Sequence, residues 1–205
     1  MINFDYAASQ MAAVWNMAWN RPGWQDALDR SVDGVFKSFW AAAFAAPFPL
    51  LGYFSLRRAA LNIPELRDTP LFQAPPAFGL TVEIIGYLVN WGAGLAALIL
   101  LARALGAGAR IADVIIGFNW LHVLTAIAQA IPQAVLGFAG QREIAGILSI
   151  PSAVLVIALI WGYIRRSLGA SLARSLGILL FLILLSVFTA LLIEGLASLI
   201  VHAFS

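Results

Sequence analysis

The sequence predicts an all-α membrane protein, a polytopic bundle of about five transmembrane helices preceded by an N-terminal amphipathic helix. Of its 205 residues, 62% are hydrophobic and only 11% are charged, whereas soluble domains are about 45–50% apolar and about 25% charged. The mean hydropathy of +0.91 agrees with this excess of apolar residues. An ordinary soluble enzyme, a disordered chain and a nucleic-acid-binding module are therefore excluded.

Residues 1–34 are predicted to form an N-terminal amphipathic, interfacial segment. Because residues 1–20 contain no Lys or Arg, a cleavable signal peptide is not expected. The helix either lies in the membrane interface or packs along the cytoplasmic ends of the other helices. Its apolar arc of about 160° comprises Phe4, Ala7, Ala8, Met11, Ala12, Val14, Trp15, Ala18 and Trp19. The interfacial anchors expected from the aromatic belt are Trp15, Trp19, Trp24 and Trp161.

Residues 35–205 form the predicted transmembrane domain. A bilayer core of about 30 Å needs roughly 20 apolar residues in a helix, and five runs meet this length. A polar linker, 57–77, separates the first run from the second. Pro47 and Pro49 are expected to kink the first run, and whether it crosses the membrane or re-enters stays open. The five runs are 35–56, 78–105, 111–136, 144–164 and 176–204.

The distribution of cations around the short loops predicts the orientation. Eight cations lie on the N-terminal side of the bilayer and four on the other, so the N-terminus is predicted to be cytoplasmic and the C-terminus outside. Eleven of the twelve cations are arginine, which together with much Ala, Gly and Leu is typical of a GC-rich bacterial genome. The predicted location is the bacterial cytoplasmic (inner) membrane. The four outer cations are Arg57, Arg58, Arg67 and Arg142.

An acidic residue stands out in the last apolar run. An ionisable group inside a membrane costs about 2.5–3.5 kcal/mol on insertion scales. Glu83, Asp113 and Glu143 lie near the starts of their helices, where the helix dipole stabilises negative charge. Glu194 lies past the midpoint of its run with no cation nearby in sequence.

Polar residues recur on one face of the second, third and fifth predicted helices. If these faces turn toward one interior, Glu194 is expected to form a hydrogen bond with Gln129 or Gln133. The face of the third helix contains Asn119, His122, Gln129 and Gln133, and that of the fifth contains Ser186, Ala190, Glu194, Ala197 and Ser198. The candidate intramembrane polar site comprises Glu194, His122, Gln129, Gln133, Asn90 and Glu83.

Two interpretations of this set stay open. Ionisable groups facing a bundle interior are typical of a proton or ion path. Amide and small residues also join membrane helices without any substrate. No catalytic residue, metal or cofactor is predicted, because catalytic motifs and cysteine are absent. His122 and His202 would differ in depth by something like 20 Å, too far to share one metal.

The stretch Asn20-Arg21-Pro22-Gly23-Trp24 and the order of five closely spaced helices resemble the Yip1-type membrane proteins. The resemblance implies a non-enzymatic membrane role and carries over no site residues. The long linker after the first helix, which contains several prolines, departs from the family pattern.

The expected function is that of a non-catalytic multi-pass inner-membrane protein, an accessory, assembly or membrane-organising subunit that acts through helix–helix contacts. Its expected partners are the lipid bilayer and other membrane subunits or a second copy of the chain, without nucleic acid. The alternative is a small transporter or channel component with a protonatable site at Glu194.

Overall fold

A computed structural model describes residues 3–204 except 62, 64–66 and 68. Every regular element in this part of the chain is helical, which confirms the predicted fold class. Residues 1, 2 and 205 of the predicted segments, and part of the predicted linker, lie outside the described residues. The helices are α1 (Phe4–Ala18), α2 (Trp24–Ala27), α3 (Val32–Ser38), α4 (Ala41–Ala45), α5 (Pro47–Ala59), α6 (Pro70–Gln73), α7 (Pro76–Ala104), α8 (Ile111–Ala134), α9 (Arg142–Ser167) and α10 (Leu172–Phe204).

Five helical units are long and apolar enough to cross a membrane, and each coincides with one predicted run. They contain 26 to 32 residues, so at about 1.5 Å per residue each exceeds a hydrocarbon core of about 30 Å. Most begin and end a few residues beyond the apolar runs, because polar residues continue the helices at their ends. The units are Val32–Ala59, Pro76–Ala104, Gly108–Ala139, Arg142–Ser167 and Leu172–Ala203.

The first unit consists of α3, α4 and α5 and runs alongside α8 over its whole length. Near its beginning, Asn119 Nδ2 donates a hydrogen bond to Ser38 Oγ (2.8 Å), and near its end Gln133 lies against Gly52. The chain therefore passes α8 in one direction and does not turn back. Pro47 is the first residue of α5, where a missing backbone N–H costs little, so it bends the unit without reversing it.

Helix α8 is the centre of the bundle. It packs against α1, α7, α9 and the three helices of the first unit, and a π-helical turn, Val135–Ala139, continues it. Trp120 and Tyr163 are the largest fully buried side chains, and the Tyr163 hydroxyl donates to the Val114 carbonyl (2.7 Å). Helix α10 lies at the periphery, where it packs mainly against α7 and α9.

Helix α1 packs into the bundle against α8 and α9. Its buried face includes Gln10, Ala13 and Met17, and is therefore rotated from the predicted apolar arc. Phe4 is 82% exposed although it belongs to that arc. The physical reason is that α1 lies close to α8 and α9. The small Ala13 and the flexible Met17 can be accommodated at this contact, whereas the bulkier aromatic side chain of Phe4 remains outside it.

The predicted tryptophan anchors differ in their surroundings. Trp24 is buried, with the Arg30 guanidinium 5.6 Å from its ring centroid, so its prediction as a membrane-facing anchor is wrong. Trp24 begins α2, in the segment that follows α1, and belongs to the buried hydrophobic core. Trp15 and Trp19 lie side by side with ring centroids 5.8 Å apart. The Trp161 indole N–H donates to Ser175 Oγ (3.1 Å).

Candidate functional site

The six residues of the predicted polar site do not form one cluster. Glu194 and Gln129 are both exposed, and Gln133 lies against Gly52 of the first unit. Helix α10 packs mainly on α7 and α9 and not on α8, which carries both glutamines. The expected hydrogen bond from Gln129 or Gln133 to Glu194 is therefore wrong. Periodicity identified the polar face of each helix, but the neighbour of that face depends on the arrangement of the bundle.

Asn90 forms a pair with a hydroxyl group of the neighbouring helix. Its Nδ2 donates to Ser186 Oγ across the α7–α10 contact, at 3.1 Å. A similar pair, Asn119 with Ser38, joins α8 to α3 in the buried interior. Each bond joins two helices through polar side chains. This arrangement is the one expected of polar residues that hold membrane helices together.

His122 lies in an aromatic contact between α7 and α8. Its ring centroid is 5.8 Å from that of Tyr87 and 5.6 Å from that of Phe118. The Tyr87 hydroxyl donates to the Ala42 carbonyl (2.9 Å), which links the same region to α4. His122 thus packs as a flat ring among other rings. In the described part of the chain, no group of three or more His, Asp or Glu residues could hold a metal ion.

Glu83 and Glu194 both lack a hydrogen-bond or ion-pair partner within the described residues. Glu83 is half-buried on α7, whereas Glu194 is exposed on α10. The two helices run antiparallel, because Asn90 contacts Ser186 while Gly86, one turn nearer the start of α7, approaches Ile193. Glu194 thus points away from the contact that joins α10 to the rest of the bundle.

A polar cluster beneath α1 was missed by the sequence analysis. Gln10 Nε2 donates to the Ala27 carbonyl, and its Oε1 accepts from the Asp29 backbone N–H, both at 3.1 Å. The Tyr6 hydroxyl donates to Asp29 Oδ2 (3.0 Å). A hydrogen bond from the Ser31 hydroxyl is the main reason that the pKa of Asp29 lies below its ordinary value, with the bond from Tyr6 adding to it. Burial and Asp29 together raise the pKa of Tyr6.

An ion pair fastens the same loop to α8. Arg30 Nε donates to the Asp113 carboxylate and Nη1 donates to the Gln25 carbonyl. The position of Asp113 near the start of its helix predicts stabilisation by the helix dipole, and nothing in the local sequence indicates a partner 83 positions earlier. Together with Gln10, this pair holds the loop between α1 and α3 against the bundle.

A second set of hydrogen bonds lies at the opposite end of the first unit. Arg57 Nη1 donates to the Tyr53 hydroxyl and Nη2 to the Ala74 carbonyl, both at 3.2 Å. The Tyr53 hydroxyl in turn donates to the Pro76 carbonyl (3.1 Å). These bonds tie the end of the linker to the first unit and fix where α7 begins.

The Asn119–Ser38 pair gives a testable expectation for stability. Replacing Asn119 with leucine keeps a similar volume but removes the bond, while the Ser38 hydroxyl keeps its bond to the Val35 carbonyl. Hydrogen bonds between membrane helices contribute about 0.6 to 1.7 kcal/mol, so we expect the melting temperature in detergent to fall by about 2–5 °C. Gln129→Leu, which changes an exposed amide on the same helix, is the control and should have a smaller effect. An equal effect of both substitutions would contradict the assignment.

Comparison with protein-family models, with curated proteins and with solved structures found no significant match. The identification of the chain therefore comes from its own architecture. Its five helical units, each long and apolar enough to span a bilayer, make it a multi-pass membrane protein.

Proposed function

We propose that this chain is a non-catalytic subunit of the bacterial inner membrane that binds another membrane protein through the outer face of α10. In this proposal the N-terminus is cytoplasmic and the C-terminus outside. The observation that carries it is the position of Glu194, a carboxyl group on an apolar helix that faces away from its own bundle and lacks a partner among the described residues.

The residues around Glu194 form a continuous apolar stripe. Leu184, Val187 and Leu191 precede it at intervals of three or four residues, so all four lie on one helix face. The three apolar side chains are 59%, 51% and 63% exposed. A stripe with this spacing suits packing against a second helix. We call these four residues the α10 docking face.

The proposed occupant is a transmembrane helix that presents a hydrogen-bond donor at the depth of Glu194. A carboxyl group facing lipid costs free energy, and a donor from a partner helix reduces that cost. Membrane interfaces use such polar contacts together with close packing. The order of the helices resembles that of the Yip1-type proteins, and this resemblance implies a non-enzymatic role in the membrane, in agreement with the proposal.

Co-purification in a mild detergent tests the proposal. We expect Glu194→Leu to lower the yield of a stoichiometric partner by about tenfold, since a hydrogen bond between membrane helices contributes about 1–2 kcal/mol in model peptides. Glu194→Gln keeps polar atoms at the same position and is expected to retain most of the partner. Glu143→Leu, which changes an exposed carboxyl group on α9, is the matched control.

The transport alternative makes a different prediction about the same residue. If Glu194 carries a proton or an ion, Glu194→Gln should abolish a coupled flux in proteoliposomes, because an amide cannot titrate. A docking role predicts that the purified chain alone supports no such flux. A flux that depends on the Glu194 carboxyl group would therefore contradict the proposal.

A further inference from the structure

A cavity opens between the end of α7 and the beginning of α10. It has a volume of about 250 Å³ and is lined by Leu101, Leu105, Arg174, Gly177, Ile178 and Phe181. All the lining residues except Arg174 are apolar or glycine. The cavity is thus an apolar groove with one cation, and we call it the α7–α10 groove.

Arg174 has no acceptor for its guanidinium among the described residues. It lies in the first turn of α10, whereas the apolar lining residues of that helix, Ile178 and Phe181, lie four and seven positions further on. The charge therefore lies toward the end of the bundle and the apolar walls lie further in. Two cations at this end have protein partners: Arg110 donates to the Arg166 carbonyl (3.4 Å), and Arg166 donates to the Ala18 carbonyl (3.2 Å). Arg103, in the last turn of α7, is exposed and, like Arg174, has no side-chain acceptor among the described residues, but it does not line the groove.

We infer that the α7–α10 groove binds an anionic phospholipid. The phosphate would contact Arg174, and an acyl chain would lie along Leu101 and Phe181. This polarity matches that of a lipid, whose charged headgroup adjoins its apolar chains. Basic pockets between transmembrane helices on the cytoplasmic side bind anionic lipid headgroups in this way, and this end is the predicted cytoplasmic one. A partner helix would need an acidic side chain at the level of Arg174 to match this lining, whereas an anionic phospholipid carries its charged group beside its apolar chains in every molecule.

Two substitutions probe the charge and the space separately. Arg174→Gln removes the cation, and Arg142→Gln is its control, since Arg142 is an exposed cation at the start of α9. Gly177→Leu fills the groove, and a Cβ at Gly177 meets no atom within 4 Å, so the variant is expected to fold. Gly195→Leu is the matched control on the same helix, because a Cβ there is equally free of contacts.

The measurement is native mass spectrometry of the purified full chain titrated with phosphatidylglycerol or phosphatidylcholine. We expect the wild type to retain phosphatidylglycerol in preference to phosphatidylcholine. Arg174→Gln should weaken retention about fivefold, the effect of one cation near a phosphate surface. Gly177→Leu should weaken retention of phosphatidylglycerol to at least the same extent, while Arg142→Gln and Gly195→Leu should leave it unchanged.

Three results would overturn the inference. Equal weakening by Arg174→Gln and Arg142→Gln would indicate general attraction of anionic lipid by surface charge. Unchanged retention in Gly177→Leu would show that the groove is not used. Loss of a co-purified polypeptide from Gly177→Leu, with phosphatidylglycerol retention unaffected, would show that the groove holds a partner helix.

Discussion

Replacing Gly162 with alanine is expected to separate α1 from α9 and to lower the melting temperature by about 5–10 °C. A Cβ at this position would lie 2.0 Å from the Ala18 carbonyl oxygen and 2.9 Å from its carbon. Both are backbone atoms, so no side-chain rotation can relieve the clash. Overpacking of this kind costs about 1–3 kcal/mol, and each kcal/mol shifts the melting temperature by about 2–4 °C in a chain of this size.

The same contact also includes Arg166, which donates hydrogen bonds to the Ala18 and Gly162 carbonyls. Displacing α1 would therefore weaken these bonds as well. Thermal unfolding in detergent measures the effect, with Gly146→Ala as the matched control. Gly146 lies on the same helix, and a Cβ there meets nothing within 4 Å, so we expect no loss of stability. A melting temperature of Gly162→Ala equal to that of the control would contradict the observed closeness of α1 and α9.

Replacing Gly137 with alanine is expected to have a similarly large effect at the opposite end of the bundle. Gly137 lies in the π-helical turn after α8, and a Cβ there would lie 2.3 Å from Ser55 Cα and 2.8 Å from its carbonyl oxygen. The first unit would have to move away from this turn. We expect a fall in melting temperature of about 5–10 °C, since backbone atoms again form the obstacle.

Gly92→Ala is the control for this second substitution. Gly92 is a half-buried glycine of α7, and a Cβ at this position has no neighbour within 4 Å. A helical Gly→Ala substitution without a clash gains up to about 1 kcal/mol in helix propensity. The control should therefore melt at the wild-type temperature or slightly above it. If Gly137→Ala behaves in the same way, the close approach of α5 to the turn is wrong.

The five-helix fold could be predicted from the sequence because the solvent for each apolar run is lipid. A run such as 144–164 contains no charged residue and can satisfy its backbone in a membrane only as a helix. The path of the first unit could not be predicted, since Pro47 and Pro49 are compatible with either a bend or a reversal. Contacts with α8, such as Ser38 with Asn119, determine that the unit continues in one direction.

The candidate site could be predicted only as separate helix faces. The spacing of Asn90 and His122 indicates that each lies on a polar face, but it does not identify the helix that each face meets. The structure pairs Asn90 with Ser186 and places His122 beside Tyr87. For Glu194 the periodicity was misleading. The predicted polar face of the fifth helix contains both Ala197, which is buried, and Glu194, whose side chain is exposed. Helix α10 contacts the bundle along one edge, and Glu194 lies outside that edge.

The polar cluster under α1 could not be predicted from local sequence. Asp29 and Gln10 are 19 positions apart, and Arg30 meets Asp113 across most of the first half of the chain. Such pairs depend on the loop after α1 folding back onto the helix. The amphipathic pattern of α1 predicts that one face of the helix is buried. It does not predict that this face contains Ala13 and Met17, because that depends on how closely the neighbouring helices approach.

The central claim is that the α10 docking face contacts another polypeptide in the membrane. The most direct test is a photoreactive residue at Leu191, activated in intact membranes, with Ile150 as the control. Ile150 is 69% exposed on α9 and lies outside the docking face. We expect a discrete protein adduct from position 191 that Glu194→Leu strongly reduces, and no such adduct from position 150. Adducts that are the same at both positions, or that Glu194→Leu leaves unchanged, would contradict the claim.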